Sequence, residues 1–286
     1  SFARERYIIM KKLFCMSDIH GFWLLAMDTL EEAGFDIDNP DHIFVHCGDL
    51  MDRGPENYKC LEMVNSIPKE RKILIWGNHE ELLEEACART FFLGHDYHNG
   101  TVGTVAEIAH LPFEDVYFHD LTAQAAMSAA MSDPEWIKYK NSCYEFAIVG
   151  QYVFVHGWIP LDFYDGTRVT ALERANGDWK NGNWRQARWL NGMREWSKGN
   201  YIMDQTIVCG HYHTSWGHSN LHNYGVEFQE DYCKDCEETD PNRLEHFEPF
   251  IDTGIIALDA CTAYSNKMNC QVLEVADEEW TMRELR

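Results

Sequence analysis

Over roughly the first ninety residues, apolar and polar positions alternate in blocks. "KKLFCMSD" is an apolar run of strand length, and "FWLLAMDTLEEAGF" places apolar residues at helical spacing until Gly34 closes it. "HIFVHCGD" predicts a second strand, "PENYKCLEMVNSI" a helix opened by Pro55, "KILIWGN" a third strand and "HEELLEEACARTFF" a third helix. This β-α-β-α-β-α order predicts parallel strands joined by right-handed crossovers, with ligands beyond the carboxyl ends of the strands. From about 90 to 142 the pattern is irregular and helix-leaning, with a helix expected in "TVAEIAHL". Strands return in "YEFAIVGQYVFVHG", an antiparallel hairpin turning at Gly150 and Gln151, and in "QTIVCGHYH". "IIALDACTAY" and "NCQVLEV" predict a closing hairpin. No composition shift marks a boundary, so the expectation is a single domain over 10–286 with a helical insert at about 90–142 and an acidic loop insert at about 225–248. Met10 looks like a natural start, which makes 1–9 a leader or an appended tail.

Composition narrows the function. A chain of 286 residues with 45% hydrophobic content can bury a substantial core. A net charge of −23 argues against nucleic acid as a partner, because phosphate backbones need a cationic face. Any phosphate-handling site here must build its own positive potential, and metal ions are the ready means. No apolar run is long enough to span a membrane, and the first residues lack the apolar core of a secretory signal. The ten cysteines lie mostly in apolar runs, as reduced core residues of a cytoplasmic protein would. The one close pair, Cys233 and Cys236, is either half a zinc site or a pair of incidental thiols, and no second pair stands at suitable spacing.

The predicted strands end in "SDIHG", "GDLMDRG" and "GNHEE", and later in "VFVHGW" and "IVCGHYH". These ends supply Asp18, His20, Asp49, Asn78, His79, His156, His211 and His213. A lone strand-end histidine is usually a hydrogen-bonded structural residue. Imidazoles, carboxylates and an amide oxygen gathered at successive strand ends suit a pair of divalent cations such as manganese, iron or zinc. Asp49 can bridge two ions, and such a pair can hold a shared hydroxide and clamp a phosphoryl group. Asp52 and Arg53 then face the substrate.

In order, "SDIHG", "GDLMDRG", "GNHE", "HG" and "GHYH" resemble the motifs of the calcineurin-like metallophosphoesterases. "GDLMDRG" with "GNHE" is similar to the phosphoprotein phosphatase branch, which includes Ser/Thr phosphatases, phage-type protein phosphatases and symmetrical bis(5′-nucleosyl)-tetraphosphatases. The resemblance implies an α/β fold: a central β-sandwich flanked by helices, with a helical insert. It implies that Asp18, His20 and Asp49 hold one metal, and that Asp49, Asn78, His156 and His211 hold the other. His79 would be the general acid, oriented by Asp52. Arg53 would grip the phosphate, helped by Asn78 and by a second arginine for which Arg188 is the candidate and Arg185 the reserve. The expected cofactors are two divalent ions, Mn²⁺ first, with Fe, Zn, Ni or Mg as alternatives. The expected reaction is hydrolysis of phosphomonoesters by a metal-bridging hydroxide, without a phosphoenzyme. The substrate would be a phosphorylated protein, or else a small phosphate ester or nucleotide.

The sequence departs from the branch at three positions, and the last two bear on the substrate. Ser17 stands where the branch has glycine, a change that leaves the metals alone. The second histidine of "GHYH", His213, is absent from most phosphoprotein phosphatases but serves as a ligand in broader metallophosphoesterases, including phosphodiesterases. It is the candidate seventh ligand. Trp158 follows the His-Gly pair and either narrows the pocket, stacks on a base, or is a core tryptophan. With Tyr212 and Trp216 it gives the alternative reading, hydrolysis of a dinucleoside polyphosphate or a diester, its aromatic argument.

Overall fold

The computed structural model describes residues 9–164, 167–169, 178–229 and 244–286. The chain opens with β1 (Met10–Met16), α1 (Trp23–Glu32), β2 (His42–His46), α2 (Asn57–Ser66), β3 (Lys72–Ile75) and α3 (Asn78–Arg89). Five short helices follow: α4 (Gly94–Asn99), α5 (Thr101–Ile108), α6 (Phe113–Phe118), α7 (Asp120–Ser132) and α8 (Pro134–Lys140). Strand β4 (Cys143–Tyr144) completes one sheet in the order β12-β1-β2-β3-β4, where β12 is Gln271–Ala276. Its inner strands are parallel, and β12 runs antiparallel to β1 along the edge.

The second sheet has the order β10-β11-β9-β6-β5-β13. Its members are β5 (Ala147–Val149), β6 (Tyr152–Phe154), β9 (Thr206–Cys209), β10 (Phe250–Asp252), β11 (Ile255–Ala257) and β13 (Glu284–Leu285). A separate ribbon pairs β7 (Asp162–Tyr164) with β8 (Thr167–Val169). Helices α9 (Trp184–Ala187), α10 (Gly192–Ser197), α11 (Thr214–Asn220), α12 (Thr262–Ser265) and α13 (Asp277–Thr281) complete the described elements.

The two sheets pack face to face, and the strand sequences show why. Leu13 and Cys15 of β1 point into the space between the sheets with Val45, Val149, Phe154 and Val208. The intervening Phe14 and Met16 point outward to the helices, against Leu61, Val105 and Tyr139. Both faces of β1 are therefore buried, which is why its sequence reads as continuous apolar rather than alternating. Full burial of each such side chain stabilises the fold by about 1.5–3 kcal/mol.

The hairpin expected at Gly150 and Gln151 forms between β5 and β6. The closing hairpin does not. "IIALDAC" supplies β11, which pairs with β10 and β9, while "NCQVLEV" supplies β12 in the other sheet. Two apolar runs of similar length carry no mark of which sheet each will join, and that choice is tertiary. Cys15, Cys47, Cys60, Cys87 and Cys209 are buried free thiols. Cys233 and Cys236, residues 1–8, and much of the acidic stretch lie outside the described residues. No helix among the described residues is long and apolar enough to cross a membrane.

Candidate metal centre

The polar ends of β1, β2, β3, β6 and β9 meet at one edge of the sandwich. They do so through unusual backbone: Asp18, His20, Asp49, Asp52, Arg53 and His211 all take the left-handed conformation, with φ between 50 and 73°. Non-glycine residues adopt it at a cost, and such positions cluster where the surroundings over-determine a functional geometry. Two glycines permit the close approach. A Cβ on Gly48 (φ +92°) would stand 2.5 Å from His156 Nδ1, and one on Gly77 would overlap Asp49.

Asp49 lies at the middle. Its donor atoms group with those of His20 and His79 on one side and with those of His156 and His211 on the other. His156 Nε2 lies 3.3 Å from Asp49 Oδ1 and 2.7 Å from Asn78 Oδ1, and His211 Nδ1 lies 2.8 Å from the same amide oxygen. On the other side His20 Nε2 is 3.8 Å from both Asp18 Oδ1 and Asp49 Oδ2. The outer ring nitrogens are tied to backbone carbonyls. His156 Nδ1 bonds Cys47 O at 2.7 Å, and His20 Nδ1 bonds Met51 O at 3.0 Å. Each bond turns the other nitrogen's lone pair inward, as carbonyl-anchored metal-binding histidines do.

The charge balance also calls for cations. Burial pushes Asp18 well above the usual carboxylate range, and the neighbouring Asp259 pushes it further. Burial likewise raises Asp259, to about 6. Burial resists the imidazolium form of His156, but Asp49 and Asp18 overcome it and lift the ring to about 9. Carboxylates, an amide oxygen and imidazoles crowd together there, and the donor set fits divalent cations.

Beside this group His79 Nδ1 lies 2.9 Å from Asp52 Oδ2, and its Nε2 is 4.0 Å from Asp49 Oδ2. Burial lowers the pKa of His79, but Asp49 and Asp52 outweigh it and the net shift is upward. Asp52 also accepts hydrogen bonds from Thr101 (2.8 Å) and Thr104 (2.5 Å) on α5. Glu80, fully buried, accepts from the Asp49, Leu50 and Gly77 amides and from the Tyr139 hydroxyl, so it fixes the loop that carries Asp49. Arg53 is exposed, and among the described residues it has no ion pair.

The sequence reading missed Thr101, Thr104 and Asp259. Glu80 stands within "GNHEE" but has no role in the motif chemistry. Trp189, 49% exposed, belongs to no motif, yet its ring meets His211 edge-on at 5.8 Å. Only Glu80 had a local signal, an acid three residues after the glycine that precedes α3.

Two expectations are corrected, and one open alternative is decided. Arg188 is not available to phosphate: its guanidinium bonds Glu145 at 2.5 and 2.6 Å and Glu81 at 3.1 Å. The reserve, Arg185, pairs with Glu81 at 2.8 Å and with Glu85. His213 does not join the ligand groups. Its Nδ1 bonds Ser215 Oγ at 2.8 Å, its ring stacks on Tyr212, and the carboxylates that act on it are Glu227 and Glu245. Trp158 is fully buried with its indole N–H on Asn200 O at 2.7 Å, a core tryptophan. Trp216 is buried too, beneath Arg194.

Comparison with known proteins agrees with this geometry. The calcineurin-like phosphoesterase family matches residues 11–235. The chain belongs to that family. A serine/threonine-protein phosphatase 1 of Salmonella typhimurium is 32% identical over 78 residues, a stretch covering 27% of this chain and 34% of that protein. The matched stretch thus spans about a third of the relative's length. Among solved structures, a cold-active protein tyrosine phosphatase aligns over 98% of this chain and 79% of its own at 16% identity and TM-score 0.50. This likeness concerns the fold.

Proposed function

We propose that the protein is a metal-dependent phosphomonoesterase of the Ser/Thr phosphoprotein phosphatase type. One observation carries the reading: a single carboxylate, Asp49, belongs to both ligand groups, with the His79–Asp52 pair directly beside it. Asp18, His20 and Asp49 would hold one divalent cation, and Asp49, Asn78, His156 and His211 a second. Manganese is the expected ion. Bound there, the cations would supply Lewis-acid charge for the phosphoryl oxygens and a water acidified for attack.

The chain's own residues do the rest. Arg53 offers a planar fork to the phosphoryl oxygens, uncommitted to any described carboxylate. His79 carries the proton for the leaving oxygen on Nε2, because Nδ1 is tied to Asp52. The upward shift of its pKa, in which Asp49 and Asp52 outweigh burial, favours the protonated form. Thr101 and Thr104 hold Asp52 so that the histidine keeps one orientation. Attack by water leaves no phosphorylated side chain. The aromatic argument for a nucleotide substrate weakens, since Trp158 and Trp216 are core residues.

The test is a side-by-side assay in Mn²⁺ with phosphoserine peptides, p-nitrophenyl phosphate, bis-p-nitrophenyl phosphate and diadenosine tetraphosphate. Preference for the monoesters is expected. Hydrolysis confined to the diester or the tetraphosphate would overturn the reading.

A further inference from the structure

Arg188 is a buried cation that the chemistry above does not use. It is 8% exposed, and an arginine taken out of water costs free energy unless carboxylates compensate it. Its Nη2 donates to both oxygens of Glu145, at 2.5 and 2.6 Å, and its Nη1 to Glu81 at 3.1 Å. These partners come from distant parts of the chain. Glu81 lies on α3, three residues after Asn78, and Glu145 stands between β4 and β5, where the chain passes from the first sheet to the second. Arg188 itself follows α9. One guanidinium therefore joins α3, the crossing between the sheets and the turn at 187–189.

That turn backs both histidines that the second sheet supplies. Gly157, directly after His156, packs so closely on it that a Cβ there would stand 2.5 Å from Arg188 O and 2.6 Å from Ala187 O. The Trp158 amide donates to Ala187 O at 3.0 Å. On the other side the Trp189 backbone carbonyl accepts a hydrogen bond from the His211 ring, and the Trp189 indole meets that ring edge-on. His156 and His211 converge on Asn78 Oδ1, which α3 carries. The circuit closes: α3 supplies the amide oxygen and, through Glu81 and Arg188, steadies the two imidazoles that meet it.

We propose that Arg188 is a positioning residue for the second cation site, its fork holding the 187–189 turn so that His156 and His211 keep their places around Asn78. The inference rests on the two-cation reading of the centre above. A planar guanidinium can engage two carboxylates at once, whereas a lysine ammonium is a point charge without that fork. The first site has its own anchors, since His20 is tied to Met51 O and Asp18 to Ser17 Oγ. Loss of Arg188 should therefore fall on one cation and spare the other.

Calorimetric titration of the metal-free protein with Mn²⁺ tests this without reference to turnover. Arg188→Met should weaken one of the two Mn²⁺ sites by about tenfold or more and the other by less than about twofold, the scale on which outer partners of metal ligands act. Arg188→Lys should fall between. Glu145→Gln, which alters a different segment and leaves Arg188 in place, should repeat the selectivity in weaker form. Phosphomonoester assays separate positioning from contact with substrate: in Arg188→Met, kcat should recover in excess Mn²⁺ with KM near the wild-type value. Equal weakening of both sites, unchanged Mn²⁺ affinity in Arg188→Met and Glu145→Gln, or a raised KM that Mn²⁺ does not restore would overturn the inference. A wild type that binds a single Mn²⁺ would instead remove the two-cation reading. Inactivity of the wild type on every monoester would remove the phosphomonoesterase reading, while the titration still decides the role of Arg188.

Discussion

The two sheets contribute to the centre in different ways. From the first sheet, each residue named from the sequence as a ligand or acid, Asp18, His20, Asp49, Asp52, Asn78 and His79, reaches the cluster or its immediate partners. From the second, His156 and His211 arrive, while His213, Arg188 and Trp158 turn to Ser215, Glu145 and Asn200. Backbone accounts for much of the contrast. Left-handed residues at the ends of buried strands can aim their side chains in few directions, and His211 shares that conformation (φ 67°). His213, two residues on, has φ −60° and precedes α11, where a neighbouring hydroxyl takes its ring. Local backbone is not the whole cause, since His156, Asn78 and His79 enter the site without that conformation, held by tertiary partners.

The contrast can be broken by experiment. Asp49→Asn should reduce turnover by more than about 10³-fold, because it weakens both ligand groups and the Lewis-acid stabilisation with them. Near-normal rates in that variant would dissolve the first sheet's special role. Next in size, His79→Asn should slow phosphoserine peptides by about 10²–10⁴-fold and p-nitrophenyl phosphate much less, since nitrophenolate leaves without a proton. Equal losses on the two substrates would mean that His79 acts through binding alone.

Asp52→Asn should have a smaller effect with a directional pH signature. In the wild type Asp49 and Asp52 raise the His79 pKa against burial, so the acid form persists above the usual histidine value and is lost as pH rises further. Removing the Asp52 charge lowers that pKa, so the alkaline limb of kcat/KM should move toward acid. A limb that stays in place would assign it to another group. The smallest effects belong to the second sheet's absentees. His213→Ala should leave metal stoichiometry unchanged and activity within about threefold, as expected for an imidazole outside the ligand groups. Selective loss of one metal, restored by excess manganese, would return it to the ligand set.

The legible parts of the fold were those with a local cause. The strands β1, β2 and β3 appear as apolar runs because both of their faces are buried, and their polar ends mark the carboxyl edge where ligands collect. Thr101 and Thr104 were not legible as partners of Asp52, since they lie 49 and 52 positions further along the chain and α5 sets their direction. Arg188 failed for a related reason. Whether an arginine meets phosphate or carboxylate depends on Glu145 and Glu81, carried by other segments. Asp259 sits in an apolar strand end like the others, but no motif drew attention to it, and only its closeness to Asp18 gives it significance.

The central claim is that Asp49 joins two cation sites into one centre, and metal content per chain tests it most directly. Wild-type protein equilibrated with Mn²⁺ and freed of excess should hold two ions per chain by elemental analysis, and Asp49→Asn fewer than one. Two tightly held ions in the Asp49→Asn protein, or a single ion in the wild type, would contradict the account.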